Sequence, residues 1–221
     1  MQPSGCYSDM EQNLHSIRTQ YTKGVLDERA VSADPVDQLS KWLAEALDSQ
    51  VPEPTAMVLA TASPDGRPSS RVVLLKGMDP RGLTFFTNYE SRKGRELGMN
   101  PFASLLFFWP ALERQIRIEG KVTKVSEEES DEYFHSRPEQ SRLSAVISPQ
   151  SQVIPGREWI EERRKAKDKR RKREEERPAY WGGYRLEPYA IEFWQGRQDR
   201  LHDRIQYSRD ESGWKIVRLA P

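Results

Sequence analysis

Residues 71–94 read RVVLLKGMDPRGLTFFTNYESRKG, and this stretch decides the fold. Arg71-Val-Val-Leu-Leu-Lys76 is a β-branched, apolar run with a cation at each end. Asp79-Pro-Arg-Gly82 carries turn chemistry, since proline presets one dihedral and glycine accepts a positive one. Residues 83–87 are a second strand, and Ser91 is the predicted N-cap of a helix over 92–97. The order is therefore strand, tight turn, strand, helix start. Arg92 and Lys93 sit oddly in it. Cations in a first helical turn oppose the helix dipole, each by a few tenths to about 1 kcal/mol. A bound anion would reverse that sign, because the free N–H groups of a helix start form a phosphate site. Two solvated side chains are the alternative, and the local sequence leaves both open.

Working outward, residues 57–62 alternate moderately, and Ser63-Pro-Asp-Gly-Arg-Pro68 reads as a hairpin turn with Asp-Gly at its tip. Residues 103–109 are almost continuously apolar, which predicts a strand buried on both faces. Residues 114–125 alternate, with Ile116, Ile118 and Val122 on one side and Gln115, Arg117, Glu119 and Lys121 on the other. Five strands so closely spaced predict an antiparallel barrel or sandwich. Toward the C-terminus, 181–185, 189–194, 200–207 and 214–219 are further strands. An extended 200–207 would set Arg200, His202 and Arg204 on one face. Such a face wraps an anion or an aromatic ring system, or is a charged edge that deters aggregation.

Helices frame these strands. Asp34-Pro35 opens one whose Val36, Leu39, Trp42, Leu43 and Leu47 share a 3.6-residue period. Ser126-Glu-Glu-Glu129 is a capping box for a second, which must stop near Arg137, before Pro138. Tyr133 and Arg137 would share its last face. Residues 141–147 read as a short helix, 148–151 as a loop, and 157–177 as a long charged helix containing RRKAKDKRRKR at 163–173. Residues 1–34 read as a mobile arm, with a helical possibility at 10–21, and 35–221 as one domain.

Composition excludes several classes. The chain has 221 residues, with 35 Lys plus Arg against 34 Asp plus Glu, so there is no global polyanion-binding or membrane-surface signal. Cys6 is the single cysteine, which rules out an internal disulfide and a cysteine metal cluster. Three scattered histidines, His15, His135 and His202, argue against structural zinc. No apolar leader opens the chain, and its longest apolar run falls far short of the roughly 20 residues that span a bilayer. The expected protein is soluble and cytoplasmic. The basic run at 163–173 is flanked by acidic residues and lacks interleaved aromatics, so it reads as a solvated surface helix rather than a nucleic-acid site.

Eight short motifs occur in order: Arg71-Val-Val-Leu-Leu-Lys76, Phe86-Thr-Asn-Tyr-Glu-Ser-Arg-Lys93, Glu113-Arg-Gln115, Tyr133-Phe-His-Ser-Arg-Pro138, Trp181-Gly-Gly183, Glu192-Phe-Trp-Gln-Gly196, Arg200-Leu-His-Asp-Arg204 and Arg218-Leu-Ala-Pro221. Together they closely resemble the pyridoxine (pyridoxamine) 5′-phosphate oxidase family, from near Tyr21 to the C-terminus. The resemblance implies a mainly β fold with peripheral α-helices, an antiparallel split β-barrel. It implies a homodimer with FMN at the subunit interface. The implied reaction oxidises pyridoxine or pyridoxamine 5′-phosphate to pyridoxal 5′-phosphate, with molecular oxygen as acceptor and hydrogen peroxide as by-product.

Carried over by position, the implied FMN contacts are Arg71, Val72, Val73, Leu74, Leu75 and Lys76, then Phe86, Thr87, Arg92, Lys93, Gln115, Gln150, Ser151, Trp194 and Arg204. Lys76, Tyr133, Arg137 and Ser141 would hold the substrate phosphate. Arg200 and His202 would lie against the pyridine ring as the catalytic pair, orienting it and stabilising charge rather than acting as a strong base. Arg18 and Tyr21 match the positions that close over the site from the arm. The chain departs from the family's Ser-Gln-Ile-Gly-Ala at Ser141-Arg-Leu-Ser-Ala145, where Arg142 adds a charge near the implied clamp. Arg71 and Lys76 have opposite strand parity, which calls for separate roles or a bulge. A split-barrel flavoprotein with another substrate, a non-catalytic pyridoxal-phosphate binder and a nucleic-acid module are the competing readings.

Overall fold

The computed structural model describes Leu14, Ile17 and residues 19–169 and 176–221. Among these, strands β1 (Ala56–Ala62), β2 (Pro68–Leu74), β3 (Gly77–Asp79), β4 (Gly82–Asn88), β5 (Phe102–Trp109), β6 (Arg114–Lys124), β7 (Trp181–Gln195), β8 (Asp203–Asp210) and β9 (Gly213–Arg218) form one antiparallel sheet. Its order is β2-β1-β5-β6-β7-β4-β3, with β8 on β7 and β9 on β8. Five helices flank it: α1 (Pro35–Asp48), α2 (Arg92–Met99), α3 (Glu127–Ser136), α4 (Glu139–Ile147) and α5 (Arg157–Lys169). The architecture is a half-barrel, mainly β with peripheral helices.

β7 is where the sheet divides. Its first half pairs with β4, from Asn88↔Trp181 to Leu83↔Leu186, and its second half pairs with β8, from Ala190↔Ser208 to Gln195↔Asp203. Opposite the division, the β6–β7 register shifts between Glu119 and Gly120, next to Pro188. A Cβ at Gly120 would lie 2.3 Å from the Glu187 carbonyl oxygen, so only glycine admits the bend. Pro188 lacks an N–H and is tolerated at such an irregularity. The sequence reading made this one strand two, because bulge and proline look like a break.

The inner face of the sheet holds the core, including Leu59, Leu105, Phe107, Ile116, Ile118, Ile191, Phe193 and Tyr207. α1 closes one end. The Asp34 side chain accepts the Val36 N–H at 2.7 Å, and Trp42 meets Phe193 edge-on at 5.2 Å between centroids. Burying an aromatic of this kind stabilises by about 1.5–3 kcal/mol. The buried stripe runs Pro35, Gln38, Leu39, Trp42, Ala46, and Leu47, expected on it, is 54% exposed. The stripe is rotated because Gln38 turns inward and accepts the Ser32 N–H.

Two further expectations are corrected. β5 is not covered on both sides: Ala103, Leu105, Phe107 and Trp109 are buried, but Phe102 and Phe108 are each 54% exposed. Its outward residues belong to an apolar face that this chain leaves open, with Val72, Val58 and Leu106 adjacent across β2, β1 and β5. Nor do Arg200, His202 and Arg204 share a strand face. Gln198–Arg200 is a 3-10 turn with φ of +54° at Asp199 and +61° at Arg200, and β8 starts only at Asp203. Two successive non-glycine residues in the left-handed region carry strain of the kind that collects at functional sites. The long charged helix is described as far as Lys169; residues 170–175 of the predicted span lie outside the description, and Glu176 to Pro178 are not helical.

Candidate active site

The predicted site residues gather in two separate clefts. The first, of about 410 Å³, opens between β2, β4, α2 and the α3–α4 corner. Its floor is aromatic. Tyr133 stacks on Phe86 at 3.9 Å between centroids, and Trp181 continues the arrangement at 5.7 Å from Phe86. Val72, Val73 and Leu74 line one wall, and Lys76, Thr87, Lys93, Arg137 and Gln150 provide the polar groups.

Of the two cations that open α2, Lys93 is the buried one. Ser91 caps the helix by accepting the Gly94 N–H at 3.3 Å, as the sequence predicted. Lys93 turns inward and is 8% exposed. Its ammonium donates to Thr87 Oγ1 at 3.1 Å, Gln150 Oε1 at 3.2 Å and Ser91 Oγ at 3.4 Å. All three partners are neutral. Burial, with Arg71 nearby, lowers its pKa to about 8. A buried ammonium among neutral oxygens is costly unless an anion joins it.

Arg137 makes the second cationic point. It follows α3 as an extended C-cap rather than as its last turn, yet Tyr133 and Arg137 line the same cleft. Its guanidinium lies 4.6 Å over the Trp181 ring, and Nη1 is buried without a hydrogen-bond partner. Burial lowers its pKa. Arg142, the departure at the α3–α4 corner, donates from Nη1 to the carbonyls of His135 at 2.9 Å and Arg137 at 3.0 Å, capping α3. Ser144 and Ser148 line the cleft, and Ser141 precedes them on the same α4 face at i, i+3, i+7 spacing.

The second cleft is lined by Tyr21, Trp194, Arg197, Asp199, Arg200 and His202, with Ile17, Thr19 and Gln20. Trp194 and His202 are 4.6 Å apart between centroids, and Tyr21 stands 5.7 Å from each. The chain after Tyr21 is tied down: Lys23 N–H donates to Glu113 Oε2 at 2.9 Å and Leu26 N–H to Asp203 Oδ2 at 3.1 Å. Nδ1 of His202 accepts the Arg197 N–H at 3.1 Å, which leaves the neutral ring's proton on Nε2. Burial and then Arg200 lower the His202 pKa. The ring is therefore a hydrogen-bond donor at neutral pH.

Other predicted residues lie in neither cleft. Arg71 and Arg92 bond to Glu96, and Leu75 is buried core. The parity conflict resolves through a change of partner: Leu75 N–H reaches Thr55 and Lys76 N–H reaches Thr84, so the chain leaves β1 for β4 between Arg71 and Lys76. Gln115 and Arg204 are the cross-strand neighbours of Trp194, in one row over β6, β7 and β8 in line with Phe108. Arg204 is held by buried Glu192, at 2.8 and 3.0 Å. Ser151 is exposed with φ +69°. Arg18 and most of the 10–21 stretch lie outside the described residues, and Thr19 to Tyr21 are not helical. Sequence reasoning missed Trp181 as the surface under Arg137, and the buried carboxylates Glu96 and Glu192. The i, i+4 spacing of Arg92 and Glu96 was the available signal for one of them.

Two family models match the chain: pyridoxamine 5′-phosphate oxidase over residues 43–164, and the pyridoxine 5′-phosphate oxidase C-terminal dimerisation region over 181–221. A pyridoxine/pyridoxamine 5′-phosphate oxidase of Burkholderia mallei is 56% identical over 211 residues, covering 94% of this chain and 99% of the relative. The chain belongs to the pyridoxine/pyridoxamine 5′-phosphate oxidase family. A second member, from Cupriavidus pinatubonensis, is 54% identical over 209 residues, with the same coverage of 94% and 99%. Among solved structures, PhzG from Burkholderia lata 383 in complex with tetrahydrophenazine-1-carboxylic acid has a TM-score of 0.84 at 38% identity, covering 89% of this chain and 98% of that one. A pyridoxamine 5′-phosphate oxidase-related, FMN-binding protein of Nostoc punctiforme shares the fold, with a TM-score of 0.69 at 20% identity, covering 86% and 100%. Residues of the motifs thus line both clefts: Lys76, Phe86, Lys93, Tyr133, Arg137 and Trp181 the first, and Trp194, Arg200 and His202 the second.

Proposed function

We propose that the protein is an FMN-dependent oxidase converting pyridoxine 5′-phosphate or pyridoxamine 5′-phosphate to pyridoxal 5′-phosphate. The alcohol reacts with one oxygen molecule to give the aldehyde and hydrogen peroxide; the amine additionally consumes water and releases ammonia. The observation that carries this reading is Arg137, a guanidinium with a buried, unpartnered Nη1 on a residue that lines the same cleft as Tyr133 and Lys76. A guanidinium with a free donor suits a phosphate ester.

The cofactor assignment is supported by the Lys93 ammonium, whose three neutral partners lack the charge a phosphate would bring. Lys93, Thr87, Gln150 and the Val72 to Leu74 wall would hold FMN, which supplies two-electron transfer from substrate to oxygen. The chain's own residues bind and orient. Arg137, Lys76 and Tyr133 would clamp the substrate phosphate, with Ser141 one turn away on α4. Arg200 offers a flat cation for an aromatic ring. His202 donates from Nε2 and holds no basic lone pair toward the ring, so it positions charge rather than abstracting a proton. Clamping of this kind supplies several kcal/mol of a barrier by fixing near-attack geometry.

The two clefts share no lining residue, and Trp181 and Trp194 lie at opposite ends of β7. They are thirteen steps apart along the strand, roughly 40 Å at about 3.3 Å per residue. A homodimer supported by the C-terminal dimerisation match would bring the second cleft of one protomer to the first cleft of its partner, over the open apolar face around Val72 and Phe108. The row Gln115, Trp194, Arg204 would then reach FMN bound by the other chain.

The test is anaerobic. FMN-loaded protein mixed with pyridoxine 5′-phosphate should lose its visible flavin absorbance and regain it when oxygen is admitted. A flavin that stays oxidised with both the alcohol and the amine would refute the substrate. It would favour the second reading, a reduced ring carboxylate of the class bound in PhzG, which is 38% identical to this chain.

FMN affinity should also depend on pH. Lys93, with its pKa of about 8 in the flavin-free protein, must be protonated to meet phosphate. Affinity should weaken by up to about tenfold per pH unit above that value, and again below about pH 6, where phosphate takes up a proton. Fluorescence titrations extending beyond both limits should give a maximum near neutrality, and an affinity that does not fall above the Lys93 pKa would remove Lys93 from the phosphate site.

A further inference from the structure

Glu96 lies on α2 one turn beyond Arg92 and is 5% exposed. Carboxylates are rarely buried so far unless fully paired. Its two oxygens take four donors from three elements. Oε2 accepts the Thr61 hydroxyl of β1, the Ser69 hydroxyl of β2 at 2.6 Å and Arg71 Nη2 at 3.4 Å. Oε1 accepts Arg92 Nε at 2.8 Å. Arg71 Nη1 returns to Thr61 Oγ1 at 2.6 Å, closing the cluster. Burial alone would push the carboxyl up; the bonds from Ser69, Thr61 and Arg92 outweigh it and bring the pKa down to about 2.

Neither arginine lines the cleft wall, but Lys93, next to Arg92, does. Arg71 is close enough to Lys93 to depress its pKa. Arg92 is held through Nε, which leaves both terminal amino groups for another acceptor. Three cations (Arg71, Arg92 and Lys93) against one carboxylate leave a net charge of +2 at the start of α2. A phosphate monoester carries about −1.5 to −2 at neutral pH. Without Glu96 the three cations would repel one another beside a positive helix end.

We propose that Glu96 is a positioning residue for the phosphate of the flavin nucleotide, aiming Arg71 and Arg92 and matching the site's charge to a dianion. The proposal rests on the FMN reading of the cleft. It predicts that the carboxylate acts through the phosphate alone, because none of its partners reaches the apolar wall that would meet a flavin ring.

Flavin-free wild type and the Glu96→Gln variant are titrated with FMN and with riboflavin, which lacks the phosphate, following flavin fluorescence. Glu96→Gln should weaken FMN binding by about tenfold, the scale of a charge-assisted pair, and leave riboflavin binding unchanged. Ser69→Ala, which removes one donor and no charge, should give the same pattern at smaller size and serves if Glu96→Gln does not fold. Equal losses for both flavins would make Glu96 merely structural and overturn the proposal. So would FMN binding as tight as, or tighter than, wild type. Wild type that binds neither flavin would refute the FMN reading itself, and the proposal with it.

Discussion

Arg137→Met and Arg200→Met, each nearly inactive alone, are expected to recover about a quarter of wild-type activity when the two chains are co-expressed, by the statistics of a two-fold dimer. Arg137 lies in the first cleft and Arg200 in the second. Removing the buried guanidinium from a phosphate should cost about 3–5 kcal/mol, read as a KM raised by roughly 10²- to 10³-fold. Loss of Arg200 should lower kcat by about 10²-fold, as for other preorganised charge-stabilising groups. In a mixed dimer one composite site inherits both defects and the other inherits neither. Half of a random population is mixed, and each mixed dimer has one intact site. Activity that stays at the level of the separate variants would mean that the clefts do not combine across subunits. Arg200→Lys keeps the charge and loses the flat face, so turnover should fall while FMN affinity holds.

Lys93→Met should separate stability from cofactor binding in opposite directions. The Lys93 pKa falls from 10.5 to about 8 in the folded protein. The unfolded chain therefore binds more protons between those values, and the flavin-free protein gains stability as pH rises through that window. Below it the buried ammonium is a standing cost on the order of 3–4 kcal/mol, given about 1.4 kcal/mol per pKa unit. Methionine of similar length removes the charge. The flavin-free variant should melt about 5 °C higher at pH 7, and the gain should vanish toward pH 10.5. FMN affinity should drop by about 10- to 100-fold, the worth of a charged hydrogen-bond partner. A variant that is both less stable and unchanged in FMN affinity would place the ammonium's purpose in the fold instead.

Much of the local structure was legible in the sequence, because the signals act at short range. The Ser91 cap, the Ser126 capping box and the Asp65-Gly66 and Pro80-Arg81-Gly82 turns depend on residues within four positions of one another. Each formed where the sequence placed it. Cations against the dipole in the first turn of α2 left a bound anion and two solvated side chains both open, and only the structure shows Lys93 buried there among neutral oxygens. The Tyr133 and Arg137 spacing brought both to one cleft, even though Arg137 stands past the helix end.

What the chain order concealed depends on contacts distant in sequence. The exposure of Phe108 follows from what covers the outer face, which no strand pattern encodes, since a buried strand and an interface strand are equally apolar. The turn at Asp199 and Arg200 adopts a backbone that side-chain periodicity cannot anticipate. Glu96 and Glu192 can be buried only because β1, β2, β6 and β8 bring hydroxyls and guanidiniums to them. The separation of the two clefts arises because β7 is long and carries Trp181 and Trp194 to opposite ends. Short-range chemistry thus sets the elements and the charge of each cleft. The long-range pairing of β7 with β4, β6 and β8 decides that the clefts lie apart in one chain.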